Sequence, residues 1–151
     1  MIPEFSDVVA AAGRLAPFVL RTPVMRSAAF DARVGAQVFF KCENLQTGGA
    51  FKYRGAMNAV LQLDPATTPR VITHSSGNHG NALALAARAR GMQAVVIVPR
   101  DAPRSKIANI EAAGARVELC EPGLPAREQR LPFSDETAQA AIDREVQHLR
   151  W

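Results

Sequence analysis

The sequence predicts an α/β protein built on a parallel sheet. Three observations carry that prediction. Between Arg70 and Cys120, short apolar strands alternate with single helices in units of about 23 residues, the rhythm of parallel strands joined by right-handed crossovers. Both helices in that stretch are closed by a glycine, Gly91 and Gly114, just before the next strand. The middle strand, Ala94–Val98, is apolar throughout, as a strand buried on both faces must be.

From the N-terminus, Phe5-Ser6-Asp7 opens a helix that Ser6 or Asp7 can cap, with Val8, Val9, Ala12 and Leu15 as its apolar face and a stop near Pro17. Arg21-Thr22-Pro23-Val24 is extended, because a proline biases its predecessor away from helix. Ser27 caps a short helix running through Phe30 and Val34 to Gly35. Gln37 to Cys42, with its β-branched and aromatic residues, reads as a strand. Glu43 to Gly49 is a loop, and Tyr53 to Leu63 is a helix that ends before Pro65. The regular part follows: strand Arg70–His74, polar loop Ser75–Gly80, helix Asn81–Arg90, strand Ala94–Val98, helix Arg104–Ala113 and strand Arg116–Cys120. Pro122 ends the regularity. Further on, Ser134-Asp135-Glu136 reads as a helix cap with acids in the first turn, and Ala138, Ile142, Val146 and Leu149 follow at helical spacing. Three strands are few for a finished parallel sheet. The sheet is therefore expected to be incomplete, with apolar faces for more chain or a partner to cover.

Composition narrows the function classes. A chain of 151 residues with 48% hydrophobic and 21% charged residues suits one globular domain with a sizeable core. The formal net charge is +4, but lysines and arginines are dispersed, with no basic run interleaved with aromatics. That argues against a nucleic-acid partner and is compatible with an anionic small ligand. Cys42 and Cys120 lack metal-ligand spacing, so no metal is expected and both read as small core residues in a reducing compartment. There is no basic segment leading an apolar one at the N-terminus, and no apolar run near the ~20 residues that span a bilayer. A cytoplasmic protein with no membrane role is the expectation.

Two stretches carry chemistry. Gly48-Gly49-Ala50-Phe51-Lys52-Tyr53-Arg54-Gly55-Ala56 sets a lysine between an aromatic and a helix start. Such a lysine is either an ordinary surface residue beside a turn or an amine that Phe51 shields from water and makes a Schiff-base nucleophile. Arg54 reads as a helix-start residue with a structural partner. The second stretch, Ser75-Ser76-Gly77-Asn78-His79-Gly80, joins a strand end to a helix N-terminus. Ligands of open α/β sheets bind at such strand ends, and helix N-terminal amides favour a carboxylate or phosphate. Alternatively it is a polar helix cap. No Gly-x-Ser-x-Gly elbow, dinucleotide glycine pattern or P-loop is present. Arg88, Arg90, Arg100, Arg104 and Lys106 read as a solvated face.

In order, Glu43-Asn44-Leu45-Gln46, Gly49-Ala50-Phe51-Lys52-Tyr53-Arg54-Gly55-Ala56 and His74-Ser75-Ser76-Gly77-Asn78-His79-Gly80 closely resemble the threonine/serine dehydratase and serine racemase family. These are fold-type II pyridoxal-phosphate enzymes, similar in fold to the tryptophan synthase β chain. Flanking segments from about Phe5 to Pro122 share the likeness. The resemblance implies a three-layer α/β fold, here incomplete: residues 1–47 as elements of a large domain, 48–122 as a small α/β domain, and 123–151 as a divergent tail. It implies that Lys52 carries pyridoxal phosphate and moves the proton at the substrate α-carbon, beside Phe51. Asn78 would hydrogen-bond the cofactor's phenolic oxygen. Ser75, Gly77, Asn78 and His79 would receive the substrate carboxylate, and Ser76 matches the position that bears a proton on the opposite face in racemising relatives. The implied reaction converts L-threonine or L-serine to a 2-oxo acid and ammonia, in an amino-acid-binding homo-oligomer. A racemase or another β-lyase of the same fold is the near alternative, and a non-catalytic interaction module or a lysine-dependent aldolase the more distant ones. Gly48 departs from the family's usual threonine. The family's glycine-rich phosphate loop and its contact to the pyridine nitrogen lie downstream of the equivalent of Pro122. The chain alone is accordingly expected to hold the cofactor weakly and show little activity.

Overall fold

The structure is a computed structural model that describes residues 2–123; the helix expected after Ser134 lies outside the described residues. Helix α1 (Phe5–Leu15) leads to strand β1 (Val24–Met25), helix α2 (Ala28–Val34) and strand β2 (Phe40–Lys41). Two short 3-10 turns, Glu43–Leu45 and Thr47–Gly49, precede helix α3 (Lys52–Leu61). Strand β3 (Arg70–His74), helix α4 (Asn78–Ala89), strand β4 (Gln93–Pro99), helix α5 (Arg104–Ala112) and strand β5 (Arg116–Cys120) complete the described chain.

The sheet is parallel, in the order β3-β4-β5, with His74 opposite Ile97 and Pro99 opposite Cys120. Its central strand is buried from Ala94 to Pro99, as its unbroken apolar run predicts. Val71, Val96 and Val98 meet Leu83, Ala84 and Ala87 of α4 and Ile110 of α5, and Met57 and Val60 of α3 close the same core. Ile97, Cys120 and the partly buried Ile72 form a smaller cluster of their own. The alanine-rich face of α4 is what lets it lie close to both the sheet and α3. Gly80, in its first turn, is the tightest point. A Cβ there would meet Val96 at 2.9 Å and the Ser75 carbonyl at 3.0 Å.

The first third of the chain differs most from expectation. Helix α1 is capped at Glu4, not at Ser6 or Asp7; Asp7 instead reaches back to accept from the Glu4 amide at 2.8 Å. Val8 and Val9 are more than half exposed, and Leu15 is the buried residue of this helix. The strand expected over Gln37–Cys42 pairs only at Phe40–Lys41. Its partner β1 has two residues, and the Val38 amide is taken by the Asp31 carboxylate at 2.8 Å. Cys42 is half-buried, its amide bonded to the Pro23 carbonyl, so only Cys120 is a core cysteine. Helix α2 forms as the sequence indicates: Ser27 Oγ accepts from the Phe30 amide, and Gly35 closes it in the left-handed conformation at φ 69°. Of the basic residues read as a solvated face, Arg88, Arg100, Arg104 and Lys106 are exposed, whereas Arg90 is half-buried and donates to the Leu63 carbonyl.

Among the described residues, no helix is long and apolar enough to cross a membrane, and no group of three or more His, Cys, Asp or Glu residues could hold a metal ion.

Candidate active site

Lys52 is the first residue of α3, and the glycines just before it dictate its entry. Gly48 and Gly49 both take positive φ, 74° and 72°, which turns the chain sharply onto the helix. At Gly48 the turn lies against α4, where a Cβ would meet Leu85 at 2.9 Å and Asn81 at 3.3 Å. The half-buried Lys52 extends its ammonium nitrogen to 5.2 Å from the centroid of the Phe51 ring. Phe51 is 53% exposed, so it screens one side of the amine without enclosing it.

The polar loop reaches the same end of the molecule. Ser75 and Ser76 leave β3 half-buried, and the Ser75 amide is held by the Ile97 carbonyl at 3.0 Å. The Ser75 hydroxyl accepts from the Gly77 amide at 3.3 Å. Helix α4 begins at Asn78, three residues earlier than the sequence indicated, with Gly77 as its N-cap residue and the Gly77 carbonyl accepting the first helical bond from Asn81. Asn78 and His79 therefore stand in the first turn of a helix, whose amide groups lack helical partners and favour an anion. Asn78 is exposed and His79 half-buried. Burial holds the His79 imidazole below its ordinary pKa, and the positive charge of Lys52 and the presence of His74 push it the same way. That coupling brings His74, the last residue of β3, into the cluster.

A network behind Lys52 was only half visible in the sequence. Glu43 accepts from Arg54 Nε and Nη2, both at 2.8 Å, and from the Thr22 hydroxyl at 2.6 Å. These partners hold its carboxyl at about 2, well below the usual range, with the Arg54 hydrogen bond the largest cause. Arg54 Nη2 also donates to the Leu20 carbonyl at 3.0 Å. Buried Gln46 bonds both the amide and the carbonyl of Leu20, at 3.0 and 2.8 Å. The pairing expected of Arg54 thus exists, but its partner lies 11 residues back in a loop, off any helical spacing.

These residues suit a carbonyl-bearing, aromatic cofactor and an amino-acid substrate. An amine stands beside an aromatic ring, and a helix N-terminus with a serine faces open space: a Cβ added at Gly49 or Gly77 would meet nothing within 4 Å. The model of the pyridoxal-phosphate dependent enzyme family matches residues 15–147. The chain belongs to that family. The matched span runs beyond Pro122, where the motif resemblance stopped. The chain is 46% identical over 129 residues to the beta-hydroxyaspartate dehydratase of Paracoccus denitrificans, covering 85% of this chain and 41% of that protein. Maize serine racemase superposes with a TM-score of 0.85 at 41% identity, over 92% of this chain and 43% of that one. A T.th. threonine deaminase superposes at 0.80 with 35% identity, over 91% of this chain and 43% of that one. The chain thus spans about two fifths of the length of these relatives. The family contains both lyases and racemases, and these neighbours share the parallel α/β fold with its flanking helices.

Proposed function

We propose that the chain carries the lysine-bearing part of a pyridoxal-phosphate dependent ammonia-lyase acting on a β-hydroxy amino acid, L-threonine or L-serine. The observation that carries this reading is the packing of the turn that leads into Lys52 against the start of α4, where Asn81 Nδ2 donates to the Gly48 carbonyl at 3.5 Å, and the charge of Lys52 helps lower the pKa of His79 in the first turn of that helix. The similarity to a hydroxyaspartate dehydratase and a threonine deaminase supports the lyase class.

Pyridoxal phosphate, when bound, supplies the electron sink for charge that develops at the substrate α-carbon. The rest falls to the protein. Lys52 would hold the cofactor through its side-chain nitrogen and, once the substrate amine has taken its place, would move the α-proton on the freed amine. Phe51 would pack beside the cofactor ring, and Asn78 would donate to its phenolic oxygen. Ser75, Gly77, Asn78 and His79 receive the substrate carboxylate at the positive end of α4, which orients the α C–H bond before it breaks. A neutral His79 suits this role, because it donates one hydrogen bond without adding a fixed charge next to Lys52. The residues assigned here serve the amine, the ring and the carboxylate; none is assigned to the phosphate.

A racemase is the second reading. Ser76 is half-buried in the same loop and matches the position that bears a proton on the opposite face in racemising relatives, and maize serine racemase is a near structural neighbour. The test is to incubate the purified protein, saturated with cofactor, with L-serine and L-threonine. 2-Oxo acid release, even at the low rate expected of this chain alone, supports the lyase and D-serine supports the racemase; a parent whose cofactor spectrum and products both match those of folded Lys52→Ala rejects both.

A further inference from the structure

We propose that Glu43 is a positioning residue for Lys52, acting through Arg54. The inference rests on the reading of Lys52 as the cofactor-bearing amine and adds what holds it in place. The N-terminus of α3 has no side-chain cap and follows two successive left-handed glycines, and its local ties are backbone bonds from the Tyr53 and Arg54 amides to the Ala50 and Phe51 carbonyls. Among the described residues, the polar side-chain bonds that leave its first turn, Lys52–Gly55, are those of Arg54, to both Glu43 oxygens and to the Leu20 carbonyl. A two-pronged guanidinium–carboxylate pair fixes direction as well as distance. Glu43 is itself oriented by the Thr22 hydroxyl, and Lys41, which also donates to the Thr22 carbonyl, lies 3.9 Å away. Buried Thr22 and Gln46 tie the segment around Leu20 to the turn that leads into α3. The clamp thus joins three stretches distant in sequence at a point two residues from Lys52, leaving the amine to extend from a fixed first turn.

The chain has three lysines, and exposed Lys106 on α5 provides an internal reference. The experiment treats the full chain with sub-saturating pyridoxal phosphate, traps the adduct with borohydride and quantifies label at Lys52 and Lys106 by peptide mass spectrometry. Each variant is held well below its unfolding midpoint, as followed by circular dichroism. Glu43→Gln is expected to lower Lys52 labelling about tenfold, the scale of a misplaced reacting group, with Lys106 unchanged. Arg54→Lys keeps the charge but loses the fork, and is expected to show the same selective loss even if Glu43→Gln folds poorly. The double variant should be no worse than the more affected single one, as for two residues acting as one unit. Parental Lys52 labelling in either folded variant overturns the inference, as does an equal loss at Lys52 and Lys106. A parent protein that labels Lys52 no better than Lys106 instead sinks the cofactor reading itself.

Discussion

Glu43 grips Arg54 with two hydrogen bonds of 2.8 Å, and the third strong donor to the same carboxylate is the Thr22 hydroxyl. A carboxyl lowered from 4.5 to about 2 stabilises the fold while it is ionised in both folded and unfolded chains, that is, above 4.5. As pH falls from 4.5 toward about 2, the unfolded chain takes up the proton first and this stability is lost. Solvent screening of this partly exposed pair reduces its contribution to about 1–2 kcal/mol. Urea unfolding at stepped pH is expected to show this decline in the parent, and Glu43→Gln is expected to be less stable at neutral pH with a shallower acid slope.

His79 acts in a different part of the pH scale. Its folded pKa lies below the ordinary 6.5, so the unfolded chain binds the proton more readily. Acidification through 6.5 therefore costs stability, and the loss levels off once the folded imidazole is also protonated. His79→Gln is expected to flatten this slope between pH about 7.5 and 5.5. An unchanged slope in that variant would assign the pH dependence to another group.

Two glycines test the close approach that builds the site. Gly80→Ala places a methyl 2.9 Å from a Val96 side-chain carbon and 3.0 Å from the Ser75 carbonyl. The backbone contact cannot swing aside, so a loss of about 1–3 kcal/mol is expected, with the loop displaced. Gly48→Thr restores the residue usual in the family motif, yet here it meets Leu85 at 2.9 Å in a left-handed backbone. It is expected to destabilise as well, and a thermal melt of each variant checks both.

Met57, on α3, is fully buried in the main core. Met57→Ala is expected to cost about 2–5 kcal/mol by leaving a cavity, measurable by denaturant unfolding. Because it lies five residues after Lys52 on the same helix, the variant also separates loss of the core from loss of the amine.

The sequence made the parallel unit legible because its signals are local. The apolar run at Ala94–Val98, the glycine stops at Gly91 and Gly114 and the Ser27 cap each act within a few residues, and β3 and β5 form where the pattern placed them. What it hid depends on distant partners. The Val38 amide is diverted to Asp31, so the strand before Cys42 is short. Val8 and Val9 follow a helical period yet remain exposed, since period alone does not supply a surface to pack against. The start of α4 was misplaced because Gly77 caps it without a side chain, which moves Asn78 and His79 from a loop into the helix. Lys52 and the serine loop were visible as separate motifs. Their approach, the part played by His74 and the Glu43–Arg54 clamp required the fold.

The most direct test is the visible difference spectrum of the chain with saturating pyridoxal phosphate against the cofactor alone, in the parent and in Lys52→Ala. The parent is expected to shift the cofactor's absorption band, and Lys52→Ala to leave it unshifted while keeping the same circular dichroism. A folded Lys52→Ala protein that shifts the band as the parent does, or a parent that shifts nothing, would contradict the account.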